Sequence, residues 1–164
     1  MLDITPTLEV TPLSEPTATP SALLDLKWNM MTVKSPNPNF SSYKIYYPTT
    51  WNIKEYKNTP AKIDSGTSTL ILSKGTATVT LLQQAASDTS CTYETSQYRE
   101  FIKDSLVWRA SPSINDNSYY EVCEKTADGG FTNSVKTGAI FANNLVDQQT
   151  VDEFNYILEK IIIE

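Results

Sequence analysis

Two β-prone runs, "TSTLILS" and "TATVTLLQ", flank Lys74-Gly75. In the second run Ala77, Val79 and Leu81 alternate with Thr76, Thr78 and Thr80. A period of two sends these sets to opposite faces of an extended chain. The short glycine-containing turn between the runs brings the chain straight back. The segment therefore predicts a β-hairpin with one apolar face and one threonine face.

A second aromatic stretch, "YKIYYPTTW" from Tyr43 to Trp51, obeys the same period and then stops. Tyr43, Ile45 and Tyr47 share a face, while Lys44 and Tyr46 share the other. Pro48 has no N–H to give a ladder, so the strand ends there. Alternation resumes in "WNIKEY", which predicts strand, corner, strand, with the Trp51 indole closing the corner over the core. Upstream, "KWNMMTV" (Lys27–Val33) reads as a first strand and "SPNPN" as a loop. Downstream, "SYYEVCEKT" and "FTNSVKTGAIFA" read as another hairpin around Asp128-Gly129-Gly130.

Helical spacing occurs twice. In "SQYREFIKDSLVW", Tyr98, Phe101, Ile102 and Leu106 fall on one side, with Ser96 as the cap. At the C-terminus Val151, Phe154, Ile157, Leu158 and Ile161 recur at three and four, and Thr150-x-x-Glu153 reads as a capping box. Strands and helices together give an α+β class: an antiparallel β-sheet packed by helices, including the amphipathic C-terminal one.

Residues 3–22, "DITPTLEVTPLSEPTATPSA", are of another kind. Pro6, Pro12, Pro16 and Pro20 recur among Thr, Ser and Ala without hydrophobic period. Such a stretch buries too little apolar surface to offset its ordering entropy, and proline keeps it extended. The expected division is a disordered Thr/Pro-rich spacer over 1–23 and one domain over 24–164. Spacers of this composition often hold an extracytoplasmic domain away from an envelope anchor. A membrane partner is then expected only through an anchor outside these residues.

Charge narrows the partners further. The chain carries a net −6, of which Asp3, Glu9, Glu15 and Asp25 supply −4 in residues 1–26, where no Lys or Arg stands. The remainder holds 13 basic and 15 acidic residues, close to neutral. Without a basic stripe to displace counterions, nucleic acid is not an expected partner.

Histidine is absent from the chain. That removes the usual general base and the commonest metal ligand. Cys91 and Cys123 are the only thiols, too few for a thiol-only zinc site of four ligands. They are either two buried thiols or one disulfide. An even, lone pair behind an envelope-type spacer favours the disulfide. No cofactor and no metal are expected.

"YKIYYPTTW" also resembles the "F-s-I-x-Y-P-x-x-W" motif of the PsbP-like fold, a sheet-and-helix sandwich. That fold is shared by a photosystem extrinsic protein, a nuclear Ran-binding protein and many bacterial envelope proteins. Uncharacterised bacterial lipoprotein-like domains are the most similar. Their pattern falls here on Tyr47, Pro48 and Trp51, on Cys91, on Val122, Cys123 and Lys125, on Gly138 and Ile140, and on a helix over Asp152–Ile162. The resemblance runs from about Trp28 to the end and implies a binding or assembly module without enzymatic activity. It names no ligand.

Three chemistries compete with plainer readings of the same residues. Ser41-x-x-Lys44 and Lys136-Thr137-Gly138 echo two signatures of serine β-lactamases, whose serine and lysine must share one helical face. Lys44 instead stands in an alternating run ending at Pro48. The Asn115–Glu121 and Ala127–Gly130 segments offer oxygen ligands for calcium, but Asn, Asp and Gly are also ordinary turn residues. Glu121 with Asp116 or Asp104 would be the carboxylate pair of a glycoside hydrolase. The expected function is a non-enzymatic cell-envelope binding or assembly domain whose ligand is an envelope protein or polymer. The alternatives are a carboxylate-dependent hydrolase of envelope polymers and a purely structural surface protein. An exposed aromatic surface of Tyr46, Tyr56, Tyr119 and Tyr120 is the candidate binding site.

Overall fold

The computed structural model describes residues 23, 25–62, 65–84, 91, 98–113, 115–133 and 137–164. The spacer, the Ser96 cap and Lys136 lie outside the described residues, apart from Leu23, which is buried. Among the described residues eleven strands follow in order: β1 (Trp28–Val33), β2 (Tyr43–Pro48), β3 (Asn52–Thr59), β4 (Thr67–Lys74), β5 (Ala77–Gln83) and β6 (Arg99–Lys103). After them come β7 (Leu106–Pro112), β8 (Tyr120–Lys125), β9 (Phe131–Thr132), β10 (Ala139–Asn143), the helix α1 (Gln148–Glu159) and β11 (Ile162–Ile163).

The strands form two antiparallel sheets. A small one has the order β1-β2-β11, and a large one β3-β4-β5-β10-β8-β7-β6, with β9 added beside β8. The hairpin around Lys74-Gly75 is β4–β5, in register from Ser68↔Gln83 to Lys74↔Ala77. Gly75 takes φ +59°, the left-handed backbone that a two-residue hairpin loop needs and that glycine adopts without strain. Leu70, Leu72, Val79 and Leu81 are fully buried on one face, and the threonines take the other.

The α+β expectation is overturned. Strand makes up 51% of the described residues and helix 11%, with a single helix of any length, so the fold is β-rich. The segment predicted as a helix from Ser96 to Leu106 is the β6–β7 hairpin. As a strand the segment splits its apolar residues between two faces, Phe101 on one and Tyr98 and Ile102 on the other. Phe101 faces the core against Trp108, while Ile102 points out and is 74% exposed. Asp104 and Ser105 both take positive φ, 48° and 68°, which closes a two-residue turn without glycine. Packing of Phe101 on a neighbouring strand outweighs helical propensity here.

The C-terminal helix stands, but its cap is displaced. Asp147 is the N-cap, accepting from the Thr150 backbone N at 2.9 Å and from the Thr150 hydroxyl at 2.8 Å. Glu153 is therefore no capping-box partner and turns inward. At the other end Lys103 Nζ donates to the Glu159 carbonyl at 2.5 Å, and Arg99 pairs with the Glu159 carboxylate. A cation from β6 thus sits at the helix C-terminus, where the backbone dipole favours it.

Both α1 and the small sheet cover one face of the large sheet. Tyr43, Ile45 and Tyr47 of β2 join Leu70, Leu81, Trp108, Ile140, Phe154 and Leu158 in one continuous core. The other face of the large sheet carries Cys123, bonded to Cys91 with a Cα–Cα distance of 6.4 Å. The disulfide reading of the two thiols is correct.

Candidate functional site

The corner of "YPTTW" builds a buried polar cluster. Trp51 and Glu153 are both sealed from solvent. Trp51 Nε1 donates to Glu153 Oε2 at 2.7 Å, and Lys74 Nζ, at the end of β4, meets the same oxygen at 2.9 Å. Gln149 Nε2 donates to Oε1 at 3.0 Å. A carboxylate taken out of water is tolerable only when its oxygens are met by such donors. Every contact made here is internal, so the cluster fastens α1 to the β2–β3 corner and to the β4–β5 turn.

The four tyrosines predicted to make one surface do not come together. Tyr56 lies on β3, at one edge of the large sheet, where its hydroxyl accepts from the Lys34 backbone N at 3.2 Å. Tyr119 and Tyr120 stand at β8, with β4, β5 and β10 between them and β3. Adjacent strand residues point to opposite faces. Tyr120 turns inward to an edge-on contact with Phe154 at 5.9 Å. Tyr119 turns outward to Phe141 at 6.1 Å, its hydroxyl 3.4 Å from Glu121. Burial, aided by Glu121 for Tyr119 and by Asp152 for Tyr120, pushes both phenols up from their ordinary value.

Tyr46 has different company. It stands opposite Met30 in the β1–β2 ladder, on the face of the small sheet away from the core. Trp28, two residues before Met30, shares that face, as does Ile162, the cross-strand partner of Lys44. The Trp28 ring abuts Tyr156 of α1 at 5.0 Å, and Lys160 Nζ lies over both rings, at 5.5 and 4.7 Å. Met30 is 52% exposed and Ile162 49%. The strip Trp28–Met30–Tyr46–Ile162 thus sets two exposed aliphatic side chains near aromatic ones, with Trp28 half-buried against the core and Ile162 directly beside the Lys44–Glu164 ion pair. Only Tyr46 of it was legible in the sequence. Trp28 and Met30 fall within the strand expected at Lys27–Val33, but their outward face depends on which side of the small sheet is covered.

The acidic segments are occupied by local structure. Asp116 Oδ1 accepts from the Ser118 N at 2.8 Å and from the Ser118 hydroxyl at 2.7 Å, and these bonds hold its carboxyl below the usual range. Asp128 does the same with the Thr126 hydroxyl and the Gly130 N, with the same lowering. Both are Asx-type turns. Glu121 lies on β8 opposite Ser111, whereas Asp104 closes the far end of the β6–β7 hairpin, so these acids are not neighbours. Lys44 extends to Glu164 at 2.6 Å on the outward side of β2. Among the described residues no three His, Cys, Asp or Glu side chains are grouped to hold a metal ion.

Among the described residues no helix is long and apolar enough to cross a membrane. No family model, no curated protein and no solved structure matches this chain.

Proposed function

We propose that this chain is a non-enzymatic, extracytoplasmic module that docks a protein partner at the cell envelope through the strip Trp28, Met30, Tyr46 and Ile162. The observation that carries the reading is the exposure of Met30 and Ile162 beside aromatic side chains on one sheet face. Methionine and aromatics are enriched at protein interfaces, and exposed apolar patches mark them. Sugars would stack on the rings but gain little from the flanking methionine and isoleucine, so a protein fits better than a glycan. The Cys91–Cys123 bond and the Thr/Pro-rich spacer support an oxidising, extracytoplasmic setting. Kinship with the PsbP-like superfamily belongs to the same proposal and rests on the sequence motifs alone.

Site-specific photocrosslinking in intact cells tests the reading. A benzophenone side chain placed at Met30 should give a discrete adduct with an envelope protein, and Tyr46→Asp should abolish it. The same group at Ile102, exposed but on β6, should give none. Equal labelling from both positions, or none from Met30, overturns the proposal. Turnover of an envelope glycan that is lost in Glu121→Gln would replace it with the hydrolase reading.

A further inference from the structure

β3 is an edge strand of eight residues, and its burial is unusual. Every residue but Asn58 is exposed, including Tyr56 (38%) and Ile53 (42%) on the side facing the core layer. Its partner β4 lies on one flank only, so among the described residues no strand meets the backbone N–H and C=O groups directed to the other flank. Such an edge is a template for another strand unless something blunts it. Lysine is a common blunting residue, and β3 carries Lys54 and Lys57.

We infer that β3 pairs antiparallel with β3 of a second copy of this chain, about a twofold axis at Tyr56. In a twofold interface residue i meets j and j meets i. Centred on Tyr56, the register sets Glu55 opposite Lys57 of the other copy, and Lys57 opposite its Glu55. Both pairs fall on the same sheet face, the one away from the core, since Glu55 and Lys57 pair with Ile71 and Thr69 there. The charge that blunts most edges is here matched by the residue it would confront. Shifting the centre to Glu55 or to Lys57 sets like charges against each other, which selects the Tyr56 register.

The opposite edge of the large sheet lacks this property. β6 centred on Phe101 would place Arg99 opposite Lys103, two cations, and both already bind Glu159 of the helix. Of the two edges only β3 is self-complementary. Pairing there would continue the large sheet across both copies and leave the Trp28–Ile162 strip on another surface.

Sedimentation equilibrium of the full chain over a range of concentrations, at low and moderate salt, tests the inference. Wild type should follow a monomer–dimer equilibrium. Glu55→Lys or Lys57→Glu alone converts two attractions into two repulsions and should weaken association about tenfold or more. The double exchange Glu55→Lys/Lys57→Glu restores the complementarity and should return affinity to within about threefold of wild type. Both side chains are exposed, so denaturant midpoints should stay near wild type and certify folding. A chain that remains monomeric, single variants that dimerise like wild type, or a double exchange that fails to recover would each overturn it.

Discussion

The indole N–H of Trp51 points at the carboxylate of Glu153, 2.7 Å away and 102 positions later in the chain, with both residues buried. This bond explains why an aromatic strand runs into proline and ends on tryptophan. Pro48 ends β2, the Trp51 N bonds the Pro48 carbonyl at 2.9 Å, and the tight corner aims the indole at the first turns of α1. The tryptophan is a fastening between the corner and the helix as well as core volume.

Trp51→Phe keeps an aromatic side chain but removes the donor and part of the buried ring volume. The lost bond should cost roughly 1.5–3 kcal/mol, the range for a hydrogen bond to a charged group, and the cavity adds to it. Glu153→Ala should cost more, roughly 3–5 kcal/mol, because Lys74 and the indole both lose their acceptor. A double-mutant cycle of Trp51→Phe with Glu153→Gln, read from urea denaturation, should show coupling. Strict additivity would mean that the contact contributes nothing.

Phe154 and Leu158 are fully buried between α1 and the large sheet. Replacing either with alanine should lower stability by about 2–5 kcal/mol through lost burial and the cavity left behind. Wild-type denaturant midpoints in both variants would show that the helix does not dock as described.

The Cys91–Cys123 bond spans 32 positions of sequence. Closing a loop of that length should stabilise by about 3–4 kcal/mol on the chain-entropy account. Denaturation with and without reductant measures it, and alkylation followed by intact mass should find no free thiol before reduction.

Gly138 and Gly75 both take positive φ, but only one is crowded. A Cβ on Gly138 would fall on the Leu82 carbonyl oxygen, whereas one on Gly75 meets nothing within 4 Å. Gly75→Ala should cost on the order of 1 kcal/mol from backbone strain. Gly138→Ala should cost clearly more, because β5 and β10 must separate to admit the methyl group. Thermal melts of the two variants should therefore differ, with Gly138→Ala the lower.

Asp147 gives stability a pH dependence. Bonds from the Thr150 backbone and hydroxyl hold its carboxyl below the usual range. A carboxyl lowered on folding contributes fully above its unfolded pKa, and the contribution is lost as pH falls through the folded value. The stability gap between wild type and Asp147→Ala should therefore be widest near neutrality and narrow between about pH 5 and pH 2. A gap independent of pH would show that the charge on the cap is irrelevant.

Local pattern carried the sequence reading as far as local physics allows. The β4–β5 hairpin, the inward set Tyr43, Ile45 and Tyr47, and the stripe Phe154, Ile157, Leu158 were legible because period two and period 3.6 are properties of the chain itself. The pairing of Cys91 with Cys123 followed from there being only two thiols and an envelope-type spacer. Tertiary structure decided the rest. Tyr98, Phe101 and Ile102 share a face only at helical spacing, yet the Trp108 surface beneath Phe101 holds that segment as a strand and leaves Ile102 outside. Glu153 matched a capping box within five residues of sequence, yet Trp51 and Lys74 drew it inward from far away in the chain. Tyr46 found Met30 and Trp28 as neighbours, while Tyr120 was taken by Phe154. Which face of a strand meets solvent depends on the layer that covers it, and that layer is set by contacts between residues distant in sequence.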